Sequence, residues 1–155
     1  MSANKIVKLI KEKEIEYVDL RFTDPRGKLQ HLTMDSKMVD DEMLNDGVFF
    51  DGSSIAGWKA INESDMILKP DLGRLVIDPF TSHNTLILFC DVLDAVKKNP
   101  YERDPRSIAK KAEAYLKKTG IGDKAYFGPE AEFFVFDDVK WNVSMNDTFY
   151  QIEHS

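Results

Sequence analysis

The stretch from Tyr17 to Met34 does most to limit the folds open to this chain. Val18, Leu20 and Phe22 alternate with Asp19 and Arg21, the period-2 pattern of a strand with one face buried and one solvated. Asp24-Pro25-Arg26-Gly27 comes next, with Asp first, Pro second and Gly fourth, as a type I turn favours. Residues 28–34 then read as a second strand pairing back as a hairpin. Ahead of it, Ile6, Val7, Leu9 and Ile10 lie near helical spacing within residues 4–13, which predicts an amphipathic helix docked on the strands after it. A short helix is expected over 37–46, burying Met38, Val39, Met43 and Leu44 and ended by Gly47. Strands return at Arg74–Ile77 and at Thr85–Val92, the latter almost continuously apolar like a central strand. Together these make a compact α+β unit of about 100 residues.

Asp51 to Gly73 is rich in Gly, Ser, Asn, Asp and Pro and is expected as a long, ordered loop, with Ile55, Trp58, Ile61 and Met66 packed against another surface, the chain's own or a partner's. A boundary comes at Lys97-Lys98-Asn99-Pro100, and Asp104-Pro105 supplies the N-cap and first turn of a helix to about Lys118. Its expected buried stripe is Ile108, Ala112, Tyr115 and Leu116, with Thr119-Gly120 as the stop. Asp138–Asn146 reads as a turn region and residues 148–152 as a strand. The chain thus divides into 1–103 and 104–155, the second part being the opening of a larger domain.

Composition excludes several classes. The formal net charge is -6, which argues against a sequence-independent grip on nucleic acid. No apolar stretch approaches the roughly 18 residues of a membrane span. The lone cysteine, Cys90, sits in an apolar run and reads as a small buried hydrophobe, a usage that fits a reducing compartment and a cytoplasmic location. His31 reads as a strand-surface residue and His83 as an exposed turn residue.

One segment carries candidate chemistry: Phe127-Gly128-Pro129-Glu130-Ala131-Glu132-Phe133-Phe134-Val135-Phe136-Asp137. Its aromatic run predicts a strand. On a strand Glu130 and Glu132 share a face, with Cα atoms roughly 6.5–7 Å apart. Two such carboxylates repel unless a cation lies before them, and oxygen donors suit a hard divalent ion. The apolar neighbours point to an interior strand, where uncompensated charge is costly. The alternative is a solvated Glu-x-Glu face, and spacing alone leaves both open.

Two longer motifs carry a resemblance. Phe50-Asp51-Gly52-Ser53-Ser54-Ile55-Ala56-Gly57-Trp58, continuing to Asn62-Glu63-Ser64-Asp65-Met66, resembles the signature loop of bacterial type I glutamine synthetases. Tyr126-Phe127-Gly128-Pro129-Glu130-Ala131-Glu132-Phe133-Phe134 resembles the family's first metal-ligand strand, and Arg103-Asp104-Pro105-Arg106 its approach to the catalytic domain. The resemblance runs along almost the whole chain. It implies a β-grasp-like N-terminal domain followed by the first helix and strands of the catalytic domain. The implied activity is ATP-dependent ligation of ammonia to glutamate through a γ-glutamyl phosphate, with two Mg²⁺ or Mn²⁺ ions per complete site. The implied assembly is a homo-oligomer, a double-ringed dodecamer with active sites between neighbours.

By the same resemblance Glu132 matches a ligand of the metal nearer glutamate, and Glu130 a ligand of the metal nearer the ATP phosphates. Asp51 matches a carboxylate lent to a neighbouring subunit's ammonium pocket, and Ser54 a hydroxyl lining that pocket. Taken alone, Asp51 reads as a loop-turning aspartate bonded to backbone; within the motif the functional role is preferred. The family's further glutamates, histidine, arginines and covering flap have no counterpart here. The expectation is therefore an N-terminal fragment, inactive by itself and prone to aggregate. The alternatives are a related glutamate–amine ligase and a non-catalytic β-grasp interaction module.

Overall fold

A computed structural model describes residues 1–58 and 64–153. They fall into two compact units, 1–124 and 125–155.

In the first unit, helix α1 (Ala3–Glu12) sets Ile6 and Ile10 into the core. Strand β1 (Tyr17–Thr23) runs through the Asp24–Gly27 turn into β2 (Leu29–Asp35), antiparallel, with Leu20 opposite Leu32. Gly27 N–H donates to the Asp24 carbonyl at 3.0 Å, and the Asp24 carboxylate accepts from the amides of Arg26 and Lys28. The turn is therefore fixed by the residue types that predict it. Strand β5 (Thr85–Asp94) pairs parallel with β1 and antiparallel with β4 (Asp65–Ile77), giving the sheet order β2-β1-β5-β4-β3, where β3 is Val48–Asp51. Leu86, Ile87, Leu88, Cys90 and Val92 of β5 are all buried, in keeping with a strand flanked by β1 and β4 at the centre of the sheet. Burial pushes the Cys90 thiol far up in pKa, so it stays protonated and unreactive.

Three expectations in this unit change. The helix expected over 37–46 splits into a 3₁₀ turn (Ser36–Met38) and helix α2 (Asp41–Asp46). Asp35 and Asp40 each cap a backbone amide, of Lys37 and Met43 respectively, and two caps so close start two helices. Met38 consequently faces solvent while Val39 and Leu44 are buried. Gly47 ends α2 at φ 87°, where a Cβ would stand 2.5 Å from the Leu68 carbonyl oxygen, so both backbone and space demand glycine.

The long loop expected over 51–73 gives way to strand from Asp65 onward. β4 begins at Asp65 and continues through Lys69-Pro70-Asp71-Leu72-Gly73, its register on β5 shifting between Pro70 and Leu75. Asp71, Leu72 and Gly73 lie in the irregularity that follows the paired Pro70, a place within a sheet that tolerates loop-type residues. Ile61, expected to pack under the loop, lies outside the described residues.

Helix α3 (Pro105–Thr119) is capped by Asp104 and closed by Gly120 in the left-handed conformation. Its expected stripe is not buried: Ile108, Ala112 and Tyr115 are exposed. The helix is held by polar contacts at its start. Arg106 pairs with Asp71 at 2.6 Å and with Asp91 at 2.9 Å, and Lys110 also pairs with Asp91.

The second unit is a hairpin of β6 (Asp138–Val143) and β7 (Thr148–Glu153), with Trp141 opposite Tyr150. β6 occupies the region expected as a turn. Val139, Trp141 and Val143 do alternate, but Asp138, Asn142 and Asp147 obscure the pattern. The strand expected at 127–137 does not form: residues 124–136 have no regular secondary structure. A strand needs a neighbour for its N–H and C=O groups, and among the described residues no ladder reaches Glu130–Phe136. The segment is still locally ordered, with Phe134 and Phe136 stacked at 6.1 Å.

Candidate functional site

Asp51 closes β3, opposite Asp65 on β4, and its carboxylate caps the 3₁₀ turn Gly52–Ser54. Oδ1 accepts from the Ser53 amide at 2.8 Å and the Ser53 hydroxyl at 2.6 Å. The Ser53 hydroxyl, then its amide, with Ser64 adding a further hydrogen bond, hold the exposed Asp51 carboxyl below the usual aspartate range. Ser54 is exposed on the same turn, and Ser53 is half-buried. Asp51 thus turns the loop with its own side chain and remains exposed.

What lies beneath the turn is closely packed. A Cβ on Gly52 would come within 2.3 Å of Met66 Sδ, and the Gly52 amide donates to the Ser64 carbonyl at 2.7 Å. Ile55 and Trp58 are buried anchors. The Trp58 ring packs against Phe22, Phe50 and Tyr101 at centroid separations of 5.6, 6.0 and 5.9 Å. Tyr101 Oη donates to the Trp58 carbonyl at 3.1 Å, and Arg103 Nη1 to the Gly57 carbonyl at 3.0 Å. Ser53, Tyr101 and Arg103 are supporting residues that sequence reasoning missed. An Asp-x-Ser spacing is a signal for the first; the other two act across 43 and 46 residues of chain, which no local pattern encodes.

Glu130 and Glu132 are both exposed and lie in the irregular segment of the second unit. Asp51 and Ser54 are brought together on one turn, whereas the two glutamates belong to the other unit. Among the described residues no cluster of three or more His, Cys, Asp or Glu side chains could hold a metal. The oxygen donors of Glu130 and Glu132 match Mg²⁺ or Mn²⁺ in kind and fall short of a six-ligand shell in number.

A second polar centre lies on the outer face of the sheet. Asp19, expected on a solvated face, is buried and accepts from Thr33 Oγ1 at 2.7 Å, Arg21 Nε at 2.7 Å and His31 Nδ1 at 2.8 Å. Burial raises its pKa, but these partners outweigh burial and the net shift is downward. A cavity of about 540 Å³ opens there, lined among others by Tyr17, Arg21, His31 and His83.

Comparison with known proteins places this architecture. The family model described as "Glutamine synthetase, beta-Grasp domain" matches residues 14–95, and "Glutamine synthetase, catalytic domain" matches 102–155. The chain belongs to the glutamine synthetase family, and its fold is α+β: a β-grasp domain followed by the beginning of the catalytic domain. It is 58% identical over 154 residues to a glutamine synthetase of Rhizobium meliloti, covering 99% of this chain and 33% of that protein. To a glutamine synthetase of Methylococcus capsulatus it is 56% identical over 153 residues, with the same 99% and 33% coverage. The chain thus spans about a third of the length of the relatives it matches. A Plasmodium falciparum glutamine synthetase structure superposes with a TM-score of 0.75 at 24% identity, covering 99% of this chain and 30% of that one, a likeness of fold. No described helix is long and apolar enough to cross a membrane.

Proposed function

We propose that this sequence forms the N-terminal third of a glutamate–ammonia ligase subunit, which joins ammonia to glutamate at the expense of ATP through a γ-glutamyl phosphate. The observation that carries the reading is the exposed, anionic Asp51 on a turn whose underside is locked by Trp58, Tyr101 and Gly52. A fixed anion at a domain surface is suited to capturing NH₄⁺ and to helping remove its proton before attack. Ser54, exposed on the same turn, is the second residue assigned to that pocket. Glu130 and Glu132 each supply one oxygen ligand, Glu132 to the metal nearer glutamate and Glu130 to the metal nearer the ATP phosphates. When bound, the two Mg²⁺ or Mn²⁺ ions would hold and polarise the γ-carboxyl group of glutamate and offset charge on the phosphoryl group.

The reading includes a division between residues 1–103 and 104–155, supported by the break between the two family matches. It also includes a dodecameric homo-oligomer in which Asp51 serves a neighbour's site, and a cytoplasmic location.

In an assembled enzyme carrying this sequence as its N-terminal third, Asp51→Ala is expected to lower kcat/KM for ammonium by about 10²–10⁴-fold, the range for losing a proton-handling group. A value within about twofold of the parent would overturn the role of Asp51. For the 155-residue chain alone, calorimetric Mn²⁺ binding should be weak and reduced by Glu130→Ala and by Glu132→Ala. Titrations of both variants identical to that of the parent would remove the ligand assignment.

A further inference from the structure

The Asp51 carboxylate is gripped by its own turn more firmly than the turn needs. A backbone amide suffices to cap the comparable turns at Asp35 and Asp40. At Asp51 the amide bond is present, and the Ser53 hydroxyl adds a contact at 2.6 Å, the length of a charge-assisted O–H···O⁻ bond. The same pairing of aspartate with a serine amide and hydroxyl occurs between Asp104 and Ser107 at 3.0 and 2.7 Å. There both residues are buried, and the hydroxyl satisfies a carboxylate that water cannot reach. Asp51 is exposed, so water could serve it equally well and the fold gains little from Ser53. The hydroxyl therefore matters most for where the carboxylate points.

We propose that Ser53 is a positioning residue whose hydroxyl fixes the orientation in which the Asp51 carboxylate meets an ammonium ion. The proposal rests on the reading of Asp51 as the ammonium-binding carboxylate. Asp51 then presents its charge without first having to reorient, which is what preorganised electrostatic binding requires.

Carboxyl-carbon NMR titration of Asp51 in the ¹³C-labelled chain tests this, with the side-chain three-bond couplings of Asp51 as a measure of its rotamer. In Ser53→Ala the Asp51 midpoint should rise towards the ordinary aspartate value and the couplings should move towards rotamer averaging. Ser53→Thr, which keeps the hydroxyl, should restore both. Ser53→Gly removes the same hydroxyl by a second route, so a poorly folded alanine variant would not decide the matter. Unchanged midpoint and couplings in the alanine and glycine variants, with core amide shifts retained, would overturn the proposal. Turnover does not enter this readout. The kinetic test of Asp51→Ala addresses the functional reading, so either can fail without the other.

Discussion

Both units are rich in aromatic residues, and they use them in opposite ways. In the first, Phe22, Phe50, Trp58 and Tyr101 close into one cluster between the sheet and the Asp51 turn. In the second, Phe133, Phe134, Trp141 and Tyr150 are 83%, 87%, 70% and 69% exposed. Composition does not separate the two cases; enclosure does. A five-stranded sheet with helices has an inside, whereas a lone two-stranded hairpin does not. Asp51 accordingly stands on a supported platform, while Glu130 and Glu132 lie on a stretch with no ladder to hold it.

The contrast predicts where acid acts first. Asp19, buried, and Asp91, half-buried, both have pKa values below normal in the first unit: burial raises them, and partners including Thr33 and Arg21, and Lys110 and Arg106, outweigh it. A carboxyl with a lower pKa folded than unfolded gives the unfolded chain the greater proton uptake. Its stabilising contribution is complete above the ordinary aspartate range and is lost as pH falls through the folded value. Loss of the first unit should therefore set in below about pH 4. Trp58 fluorescence in a Trp141→Phe background would follow it. A transition centred near about pH 6 would instead assign the sensitivity to a histidine and break the argument.

Next in size is the core itself. Leu88 lies fully buried on the central strand, and Leu88→Ala should cost the first unit about 2–5 kcal/mol in urea unfolding. A loss below ~1 kcal/mol would mean that the sheet is not close-packed there.

Arg106→Ala should cost less, about 1–2 kcal/mol, between the value of an exposed pair and that of a buried one. Arg106 is 28% exposed and leaves Asp71 and Asp91 behind without it. Amide exchange should accelerate mainly in α3. If exchange rises equally throughout the sheet, Arg106 supports the whole unit and is more than a tie for the helix.

These cases also show how much is legible from residues alone. Sequence patterns that act within a few residues read true: the buried Val18-Leu20-Phe22 face of β1, the Asp24–Gly27 turn, the Asp104 cap and the Gly47 and Gly120 stops. What fails needs a distant partner. Pro70 and Gly73 read as loop because nothing local announces that β5 supplies a ladder around a bulge. The α3 stripe and the Phe127–Phe136 run read as buried because apolar patterning specifies a face that seeks cover, not the element that covers it. For the candidate site, Asp51, Ser54, Glu130 and Glu132 stand out by their motifs, but the devices holding Asp51 do not. Tyr101 and Arg103 reach the turn from beyond two strands, and only folding brings them there.

The smallest effect belongs to the second unit. Phe134 stacks on Phe136 at 6.1 Å yet is 87% exposed, so Phe134→Ala forfeits one ring contact and almost no burial. Its cost to folding should stay within about 0.5 kcal/mol, the range of surface substitutions, although phenylalanine removed from a core costs roughly 3–5 kcal/mol. Self-association should respond more. Exposed aromatic surface drives non-specific contact between chains, so light scattering of concentrated chain should fall in Phe134→Ser and fall further with Phe133→Ser added. A stability loss of several kcal/mol from Phe134→Ala would show that this segment is enclosed in solution, and the contrast between the two units would then vanish.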